Sequence, residues 1–324
     1  MKSVEVPGLS RPVSSFVLGT MTFGDTADET AAGRMLGAGL DAGVTLVDTA
    51  NGYAGGASES MLSRLLAGRD EVMLATKAGM PHPDAGDASP LSAAGLRRSL
   101  EGSLRRLGRE SVDLFYLHQP DRTVSLAETL GTVAELVDEG KIGALGVSNF
   151  AAWQVADVTA AADAAGAPRP VIAQQLYNLV ARNIEREFAE FSHQHDVHTM
   201  VYNPLGGGLL TGKHRFDTQP GEGRFGSSKL SAMYRERYWN AELFAAIDEL
   251  GRIAEQAGIS LVELSYRWLF SRELTGSVLL GGSTPHQFEA NLALAAADPL
   301  DEDIVEASNQ AGAALFGPMP AYNR

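Results

Sequence analysis

The stretch LVDTANGYAGGASE, residues 46–59, joins a short apolar run to a glycine-rich loop and then to the start of a helical segment. Apolar and β-branched residues lead into Asp48, and Tyr53 follows in the loop. A short apolar run bounded by turn residues is typical of a buried strand. The carboxylate at the strand end and the phenol after it are a first candidate for a functional pair.

The same alternation of strand and helix recurs from residue 16 to about residue 297. Eight candidate strands occupy residues 16–18, 45–48, 72–76, 112–117, 142–147, 171–175, 198–202 and 277–280. Ala/Leu-rich segments with the spacing of apolar residues that is typical of helices lie near residues 28–42, 58–67, 92–107, 126–139, 151–165, 183–195 and 241–270, and again after 285. Strands that alternate with helices pair in parallel through right-handed crossovers. Eight such units predict a closed (β/α)₈ TIM barrel of the α/β class rather than an open doubly wound sheet.

Four further features complete the predicted organisation. The segment VEVPGLSRPVS, residues 4–14, indicates a hairpin before the barrel, and an extra helix is expected at the C-terminal end. No polar or Pro/Gly-rich linker divides the chain, which predicts a single domain over residues 1–324. The longest irregular segment, about residues 203–240, is rich in Gly, Arg and aromatic residues. A long loop inside a compact domain is usually functional or mobile.

Composition excludes several kinds of function. The 324 residues include 40 acidic and 26 basic side chains, a formal net charge of −14, which disfavours nucleic acid and anionic membranes as partners. The chain has no cysteine, so disulfides, thiolate catalysis and Cys-ligated zinc are ruled out. The N-terminal residues lack the apolar core of a signal peptide, and no segment approaches a membrane span, which predicts a cytoplasmic protein.

Polar residues gather where the candidate strands end. In a (β/α)₈ barrel the active site lies at the C-terminal ends of the strands. The polar residues at or just after those ends are Asp48, Tyr53, Lys77, His118, Ser148, Asn149, Gln174 or Gln175, Tyr202 and Asn203. All of them are therefore expected to face the same mouth of the barrel.

Four of these residues suit the reduction of a carbonyl group. Hydride transfer to a carbonyl carbon leaves negative charge on the oxygen, which then needs a proton. A free tyrosine, with a pKa of about 10, is a reluctant donor at neutral pH, and a nearby ammonium lowers that pKa. We therefore expect Tyr53 to act as the acid, Lys77 and Asp48 to tune it, and His118 to position the substrate. Each residue alone is more often structural, but four compatible groups on three consecutive loops favour a catalytic set.

Motifs spread over nearly the whole chain resemble those of the aldo-keto reductases, in the same order. They are GTMTFG (19–24), DTANGY (48–53), TK (76–77), YLHQPD (116–121), GKIGALGVSNF (140–150), QLYN (175–178), YNPLGGGLLTGK (202–213) and LLGGSTPHQFEAN (279–291). GRFG (223–226), MYRERYW (233–239) and the terminal AYNR (321–324) are similar to the aflatoxin-aldehyde and succinic-semialdehyde reductase branch. The resemblance implies a (β/α)₈ barrel of the aldo-keto reductase type.

The resemblance also implies a role for each matching residue. Asp48, Tyr53, Lys77 and His118 fall on the family's catalytic tetrad, and Arg224 falls on a contact of the 2′-phosphate, which favours NADPH over NADH. The residues implied to contact the cofactor are Gly19, Thr20, Met21, Asp48, Ser148, Asn149, Gln174, Tyr202, Asn203, Pro204, Leu205, Gly206, Gly208, Leu210, Lys213, Arg224, Gly282, Ser283, Thr284, Gln287 and Asn291. The residues implied to contact a carboxylated substrate are Tyr53, His118, Tyr234, Arg237 and Arg324.

The sequence therefore predicts an NADPH-dependent reductase that converts aldehydes, ketones or reactive dicarbonyls to alcohols, with Tyr53 as proton donor and no metal. The branch is often dimeric, so a homodimer is a further expectation. One alternative is a nicotinamide-binding regulatory protein, similar to potassium-channel β-subunits, with slow or vestigial reductase activity. Another is a barrel hydrolase or isomerase that uses His118 and Asp48, but it leaves Ser148, Asn149 and Gln174 unexplained.

Three other motifs are weaker. GEGRFG (221–226) fits the dinucleotide fingerprint but does not follow a strand, and GGLLTGKH (207–214) lacks the Ser or Thr of a P-loop. HQHDVH (193–198) lies where a helix is expected to end and a strand to begin, away from the predicted mouth, so surface histidines explain it better than a metal site.

Overall fold

Eight parallel strands close into a barrel in the computed structural model, which describes residues 1–218, 220–228 and 231–317. In chain order the strands are β1 (Ser3–Val4), β2 (Val13–Ser14), β3 (Phe16–Gly19), β4 (Leu46–Asp48), β5 (Met73–Ala78), β6 (Val112–Leu117), β7 (Ile142–Ser148), β8 (Pro170–Leu176), β9 (His198–Tyr202) and β10 (Ser277–Leu280). The barrel runs β10-β3-β4-β5-β6-β7-β8-β9. The predicted (β/α)₈ fold and its eight strands are confirmed.

Helices follow the barrel strands. They are α1 (Glu29–Asp41), α2 (Ala57–Leu65), α3 (Ala93–Leu107), α4 (Leu126–Asp138), α5 (Ala152–Ala165), α6 (Phe188–Gln194), α7 (Ser231–Tyr238), α8 (Ala241–Gln256), α9 (Leu261–Ser271), α10 (Pro285–Ala293) and α11 (Glu302–Ala313). Capping side chains set the starts of several of them: Ser92 begins α3 by accepting a hydrogen bond from the Gly95 amide. Gly108, at φ +63°, ends that helix in the left-handed conformation typical of a C-terminal glycine.

The hairpin before the barrel is confirmed, since β1 pairs antiparallel with β2. The helix predicted over residues 241–270 is wrong as a single element, because it is divided into α8 and α9. Gly258, at φ +70°, turns the chain there, and Ser260 caps α9 by accepting from the Glu263 amide. The segment 203–240 is not wholly irregular, because it contains α7.

Internal contacts divide the chain into two compact units. The first comprises Met1–Gln175, Glu190–Met200 and Gly276–Ala295, and it contains β3 to β7, α1 to α5, β10 and α10. The second comprises Leu176–Ala189, Val201–Thr275 and Ala296–Arg324, and its described part contains α7, α8, α9 and α11. The single domain expected over residues 1–324 stays a prediction.

Each unit has a buried interior of its own. In the first, all six residues of β5 are buried, as expected of a parallel strand covered on both faces. In the second, the rings of Tyr177 and Trp268 lie 5.3 Å apart, and the Arg182 guanidinium lies 5.3 Å from the Trp268 ring centre. Within the described residues, no helix is both long enough and apolar enough to cross a membrane.

Candidate active site

A buried ion pair lies at the carboxyl ends of β4 and β5. Asp48 ends β4, and its partner in the barrel register is Ala75 of β5. Lys77 lies two residues beyond Ala75 and therefore projects to the same face of β5. Its ammonium contacts an Asp48 carboxylate oxygen and donates to the Thr49 carbonyl at 2.8 Å. Both side chains are almost completely buried.

Tyr53 and His118 complete the predicted tetrad. Lys77 Nζ lies 3.2 Å from Tyr53 Oη, within hydrogen-bond distance. The His118 ring is edge-on to the Tyr53 ring, with 6.2 Å between their centres. The His118 amide donates to the Ala78 carbonyl at 2.8 Å, which fixes the start of the loop after β6 against β5. The structure thus brings together the four residues that the sequence placed on three loops.

The buried charges have shifted pKa values. Burial raises the pKa of the Asp48 carboxyl, and the Lys77 ammonium and the Gln174 amide only partly oppose it. Burial acts to lower the pKa of Lys77, but Asp48 and Tyr53 outweigh it, so that pKa is raised and the amine stays charged. Burial and the Lys77 charge lower the pKa of His118 to about 3. His118 is therefore neutral at physiological pH and contributes a hydrogen-bonding ring rather than a cation.

Amide and hydroxyl groups from β7 and β8 lie beside the tetrad. Gln174 Nε2 donates to Asp48 Oδ2 at 2.9 Å, and Ser148 Oγ donates to the Gln174 carbonyl at 3.0 Å. Asn149 has a left-handed backbone, at φ +63°, and its Nδ2 donates to the His118 carbonyl at 2.9 Å. These three predicted cofactor residues are therefore tied to Asp48 and His118 within the first unit.

A second group of predicted cofactor residues in the first unit surrounds β3 and the start of α10. Thr20 donates through its amide and its hydroxyl to the Asp48 carbonyl, each at 3.0 Å. Thr22 Oγ1 donates to the Gly282 carbonyl at 2.8 Å, which ties the loop after β3 to the loop after β10. Thr284 caps α10 by accepting from the Gln287 amide. The predicted contacts here are Gly19, Thr20, Met21, Gly282, Ser283, Thr284, Gln287 and Asn291.

In the second unit, Asn203 organises a glycine-rich turn. Asn203 has φ +61°, and its side-chain oxygen accepts from the Gly207 amide at 2.7 Å while its Nδ2 donates to Tyr238 Oη at 2.8 Å. A tight turn follows over Gly206–Thr211, with Gly207 at φ +71° and Gly208 at φ +109°. The predicted cofactor residues of this turn are Asn203, Pro204, Leu205, Gly206, Gly208 and Leu210, with Tyr202 before it and Lys213 after it.

The other predicted contacts of the second unit lie near α7. Arg224 donates to Tyr234 Oη at 3.1 Å, and its guanidinium lies 5.3 Å from the centre of that ring. Tyr234 is buried and Arg237 is exposed. Arg324, the last predicted substrate contact, lies outside the described residues.

Sequence reasoning missed several residues that hold these groups. The Thr49 carbonyl accepts from Lys77, and Asn178 Nδ2 donates to the Asn203 carbonyl at 2.9 Å. Asn178 could have been found from the sequence, because it lies in the motif QLYN. The contact of Thr49 could not, because any residue type has a backbone carbonyl.

Comparison with known proteins identifies the class to which this fold and tetrad belong. The sequence model described as "Aldo/keto reductase family" matches residues 15–312. Aflatoxin B1 aldehyde reductase member 2 of Rattus norvegicus is 36% identical over 324 residues, covering 95% of this chain and 87% of the rat protein. Aldo-keto reductase family 7 member A3 of Homo sapiens is 36% identical over 332 residues, covering 98% and 99%. The solved glycerol dehydrogenase of Gluconobacter oxydans superposes with a TM-score of 0.77 at 27% identity, covering 99% of this chain and 98% of that one.

The chain therefore belongs to the aldo-keto reductase family and is an oxidoreductase that acts on carbonyl groups. The predicted likeness to the aflatoxin-aldehyde reductase branch is confirmed. A more distant relative is the probable voltage-gated potassium channel subunit beta of Arabidopsis thaliana, 28% identical over 290 residues and covering 88% of each chain.

Proposed function

We propose that the protein is an NADPH-dependent reductase of aldehydes, with Tyr53 as the proton donor. The observation that carries this proposal is the position of Lys77 Nζ, which contacts Asp48 and lies 3.2 Å from Tyr53 Oη in a buried setting beside the His118 ring. Charge interactions act strongly where water is excluded, so this ammonium can stabilise a phenolate formed when Tyr53 gives up its proton.

The donor set suits a nicotinamide cofactor, which supplies the hydride when bound. Ser148, Asn149 and Gln174 offer the hydroxyl and amide groups that a carboxamide needs. The N-terminus of the nine-residue helix α10, with exposed Ser283 and Thr284, offers backbone amides to a phosphate. Arg224 is the residue that we assign to the 2′-phosphate, and this assignment underlies the choice of NADPH over NADH.

Each tetrad residue has one task in this proposal. Tyr53 donates its phenolic proton to the oxygen of the substrate, and Lys77 stabilises the phenolate that remains. Asp48 keeps the Lys77 ammonium in place and compensates its charge. His118 is neutral, because its pKa is lowered to about 3, so its ring can donate a hydrogen bond that orients the carbonyl but carries no charge to it.

The Tyr53→Phe variant tests the assignment. It removes the proton but keeps the ring, so reduction should be abolished while NADPH still quenches protein fluorescence. Titration of the wild type with NADPH and NADH comes first, and much tighter binding of NADPH is expected if Arg224 meets the phosphate. Retained turnover in Tyr53→Phe, or no binding of either nucleotide by the wild type, would refute the proposal.

The relatives and the exposed Arg237 support a proposal for the substrate class. The names of the two related proteins above refer to aldehyde and aldo-keto reduction, which supports an aldehyde as the substrate. If Arg237 and Arg324 bind a carboxylate, succinic semialdehyde should be reduced with a higher kcat/KM than butanal of equal chain length. Equal values for the two aldehydes would remove the carboxylate preference.

The regulatory alternative rests on the relative described as a potassium channel subunit beta. It predicts tight nucleotide binding with very slow turnover, whereas ordinary turnover of a small aldehyde removes it. The complete tetrad favours the reductase. The homodimer and the cytoplasmic location stay predictions.

A further inference from the structure

The loop that carries Tyr53 has an unusual backbone. Residues Ala54, Gly55 and Gly56 have φ values of +49°, +63° and +92°, so three consecutive residues lie in the left-handed region. An L-residue such as Ala54 adopts that conformation only when its surroundings hold it there. No side chain caps the turn Tyr53–Gly56. Backbone hydrogen bonds from the Asn51 amide to the Lys77 carbonyl, at 3.2 Å, and from the Tyr53 amide to the Ala50 carbonyl, at 3.1 Å, hold the start of this loop. The left-handed residues after Tyr53 are held by packing and by the residues that follow them.

Arg106 of α3 supplies a close packing contact. A Cβ atom at Gly56 would lie 2.7 Å from Arg106 Cδ and 2.8 Å from its Nε, so the guanidinium end of this side chain lies directly against the Gly56 backbone. Arg106 Nε donates to Glu59 Oε2 at 2.7 Å, and its NH1 lies 2.8 Å from Asp84 Oδ2. Two carboxylates thus fix the side chain that packs on the loop.

Glu59 connects this contact to the strand that carries Lys77. Its side chain is completely buried, and Oε1 accepts a hydrogen bond of 2.6 Å from Thr76 Oγ1. Thr76 directly precedes Lys77 in β5. The neighbouring Ser58, also buried, donates to the Thr20 carbonyl at 3.0 Å. The first turn of α2 is therefore held to the barrel by two buried polar side chains.

We propose that Glu59 and Arg106 are a positioning pair, which sets the distance between Tyr53 Oη and Lys77 Nζ by fixing the Tyr53 loop to β5. Neither residue is within the tetrad, and they act through Gly56 and Thr76. The inference rests on the proposed function, since it assigns a purpose to the placement of the acid. It adds two residues on α2 and α3 to the determinants of the reaction.

The first experiment uses Arg106→Met, with Arg64→Met as the matched control. Arg64 also pairs with a glutamate, Glu29, but that pair is exposed on the outside of α2. Arg106→Met should lower kcat on the order of 10- to 100-fold with an unchanged Kd for NADPH, because a small misplacement of a catalytic group is costly. Arg64→Met should match the wild type. Arg106→Lys should recover only part of kcat, because lysine keeps the charge but not the planar contact with Gly56.

The ionisation of Tyr53 can be measured without any reduction of substrate, so it tests the positioning pair independently of the proposed function. The ionisation of Tyr53 is followed by ultraviolet absorbance, as the difference between each variant and the same variant carrying Tyr53→Phe. In Arg106→Met the ionisation of Tyr53 should move to higher pH than in the wild type, because the ammonium is no longer held beside the phenol. Such a shift supports the positioning pair even if no aldehyde is reduced, a result that would refute the reductase alone.

A second variant is needed in case Arg106→Met is too unstable to study, since removing one partner of a buried ion pair is strongly destabilising. The triple variant Glu59→Gln, Asp84→Asn and Arg106→Met leaves neither carboxylate without its partner, and it should show the same loss of kcat and the same shift of Tyr53 ionisation. Wild-type kcat and Tyr53 ionisation in either variant, with only a lower Tm, would show a purely structural pair and overturn the inference.

Discussion

The Lys77 side chain is buried among the protein groups to which its ammonium is paired and hydrogen-bonded. Its ammonium is completely buried and contacts the Asp48 carboxylate, the Thr49 carbonyl and the Tyr53 hydroxyl. A buried charge is tolerated only when it is paired and hydrogen-bonded in this way. The arrangement that places an ammonium beside the phenol therefore also makes Lys77 and Asp48 dependent on each other, since the loss of either one leaves the other buried without its counter-charge.

The first prediction concerns that dependence. Lys77→Met leaves Asp48 buried without its counter-charge and should lower the free energy of unfolding by about 3–5 kcal/mol. The double variant Lys77→Met with Asp48→Asn removes the stranded charge and should recover much of that loss. Urea denaturation at neutral pH measures both, and a double variant less stable than the single one would contradict the argument.

The second prediction concerns pH. The pKa of His118 is about 3 in the folded protein and 6.5 in an ordinary setting, so the unfolded chain binds more protons between these values. The contribution of neutral His118 to the free energy of unfolding is therefore fully present above pH 6.5 and is lost as the pH falls towards 3. His118→Gln should lose less stability than the wild type between neutral pH and about pH 4.5.

Urea midpoints at the two pH values measure the effect of His118→Gln. The exposed His286→Gln serves as the control and should behave as the wild type does. Equal losses in all three proteins would show that His118 is not held neutral by its buried setting.

At the scale of single elements, the turn Gly206–Thr211 depends on conformations that only glycine adopts without cost. Gly207 has φ +71°, and a Cβ there would lie 2.7 Å from Tyr234 Cδ1. Gly212, which ends the turn, has nearly the same φ, +72°, but a Cβ would meet only Leu261 Cδ2 at 3.8 Å. The two glycines have matched backbones and different surroundings.

That match gives the third prediction. Gly207→Ala and Gly212→Ala should each cost about 1–2 kcal/mol of unfolding free energy for the left-handed backbone. Gly207→Ala should lower the free energy of unfolding more than Gly212→Ala does. It should also weaken NADPH binding, because it displaces the Tyr234 ring, whose hydroxyl accepts a hydrogen bond from Arg224. Urea denaturation and fluorescence titration measure the two effects. Equal stability and equal affinity in both variants would contradict the role given to Gly207.

The elements also show what the sequence could and could not predict. Strand positions and the convergence of Asp48, Tyr53, Lys77 and His118 were predictable because the alternation of apolar runs fixes the strands and the barrel fixes where their ends meet. Gly258 and Ser260 indicate the break between α8 and α9, because glycine often ends a helix and serine often caps the next one. The helical spacing of apolar residues continues across both helices, which favoured a single helix instead. The left-handed backbone of Ala54 has no local signal, because tertiary contacts impose it, whereas Asn149 and Asn203 carry a weak one, since Asn adopts this conformation more readily than most residues. The Glu59–Arg106 pair is 47 residues apart, beyond any pattern along the chain.

At the scale of the whole molecule, the organisation of the chain gives the fourth prediction. A single domain over residues 1–324 should unfold in one transition, with equal calorimetric and van't Hoff enthalpies. Differential scanning calorimetry of the intact chain checks this. Two separated transitions would instead show that the two compact units unfold independently, and the single-domain prediction would then be wrong.

The closed barrel also has a consequence for aggregation. Every barrel strand has a hydrogen-bonded neighbour on both sides, and outside the barrel the paired strands in the described part of the chain are β1 and β2, of two residues each. Intermolecular β-pairing and amyloid growth start from long, flat strands with a free edge. The native barrel offers no such template, so fibril formation by this protein requires that a barrel strand first separate from its neighbour.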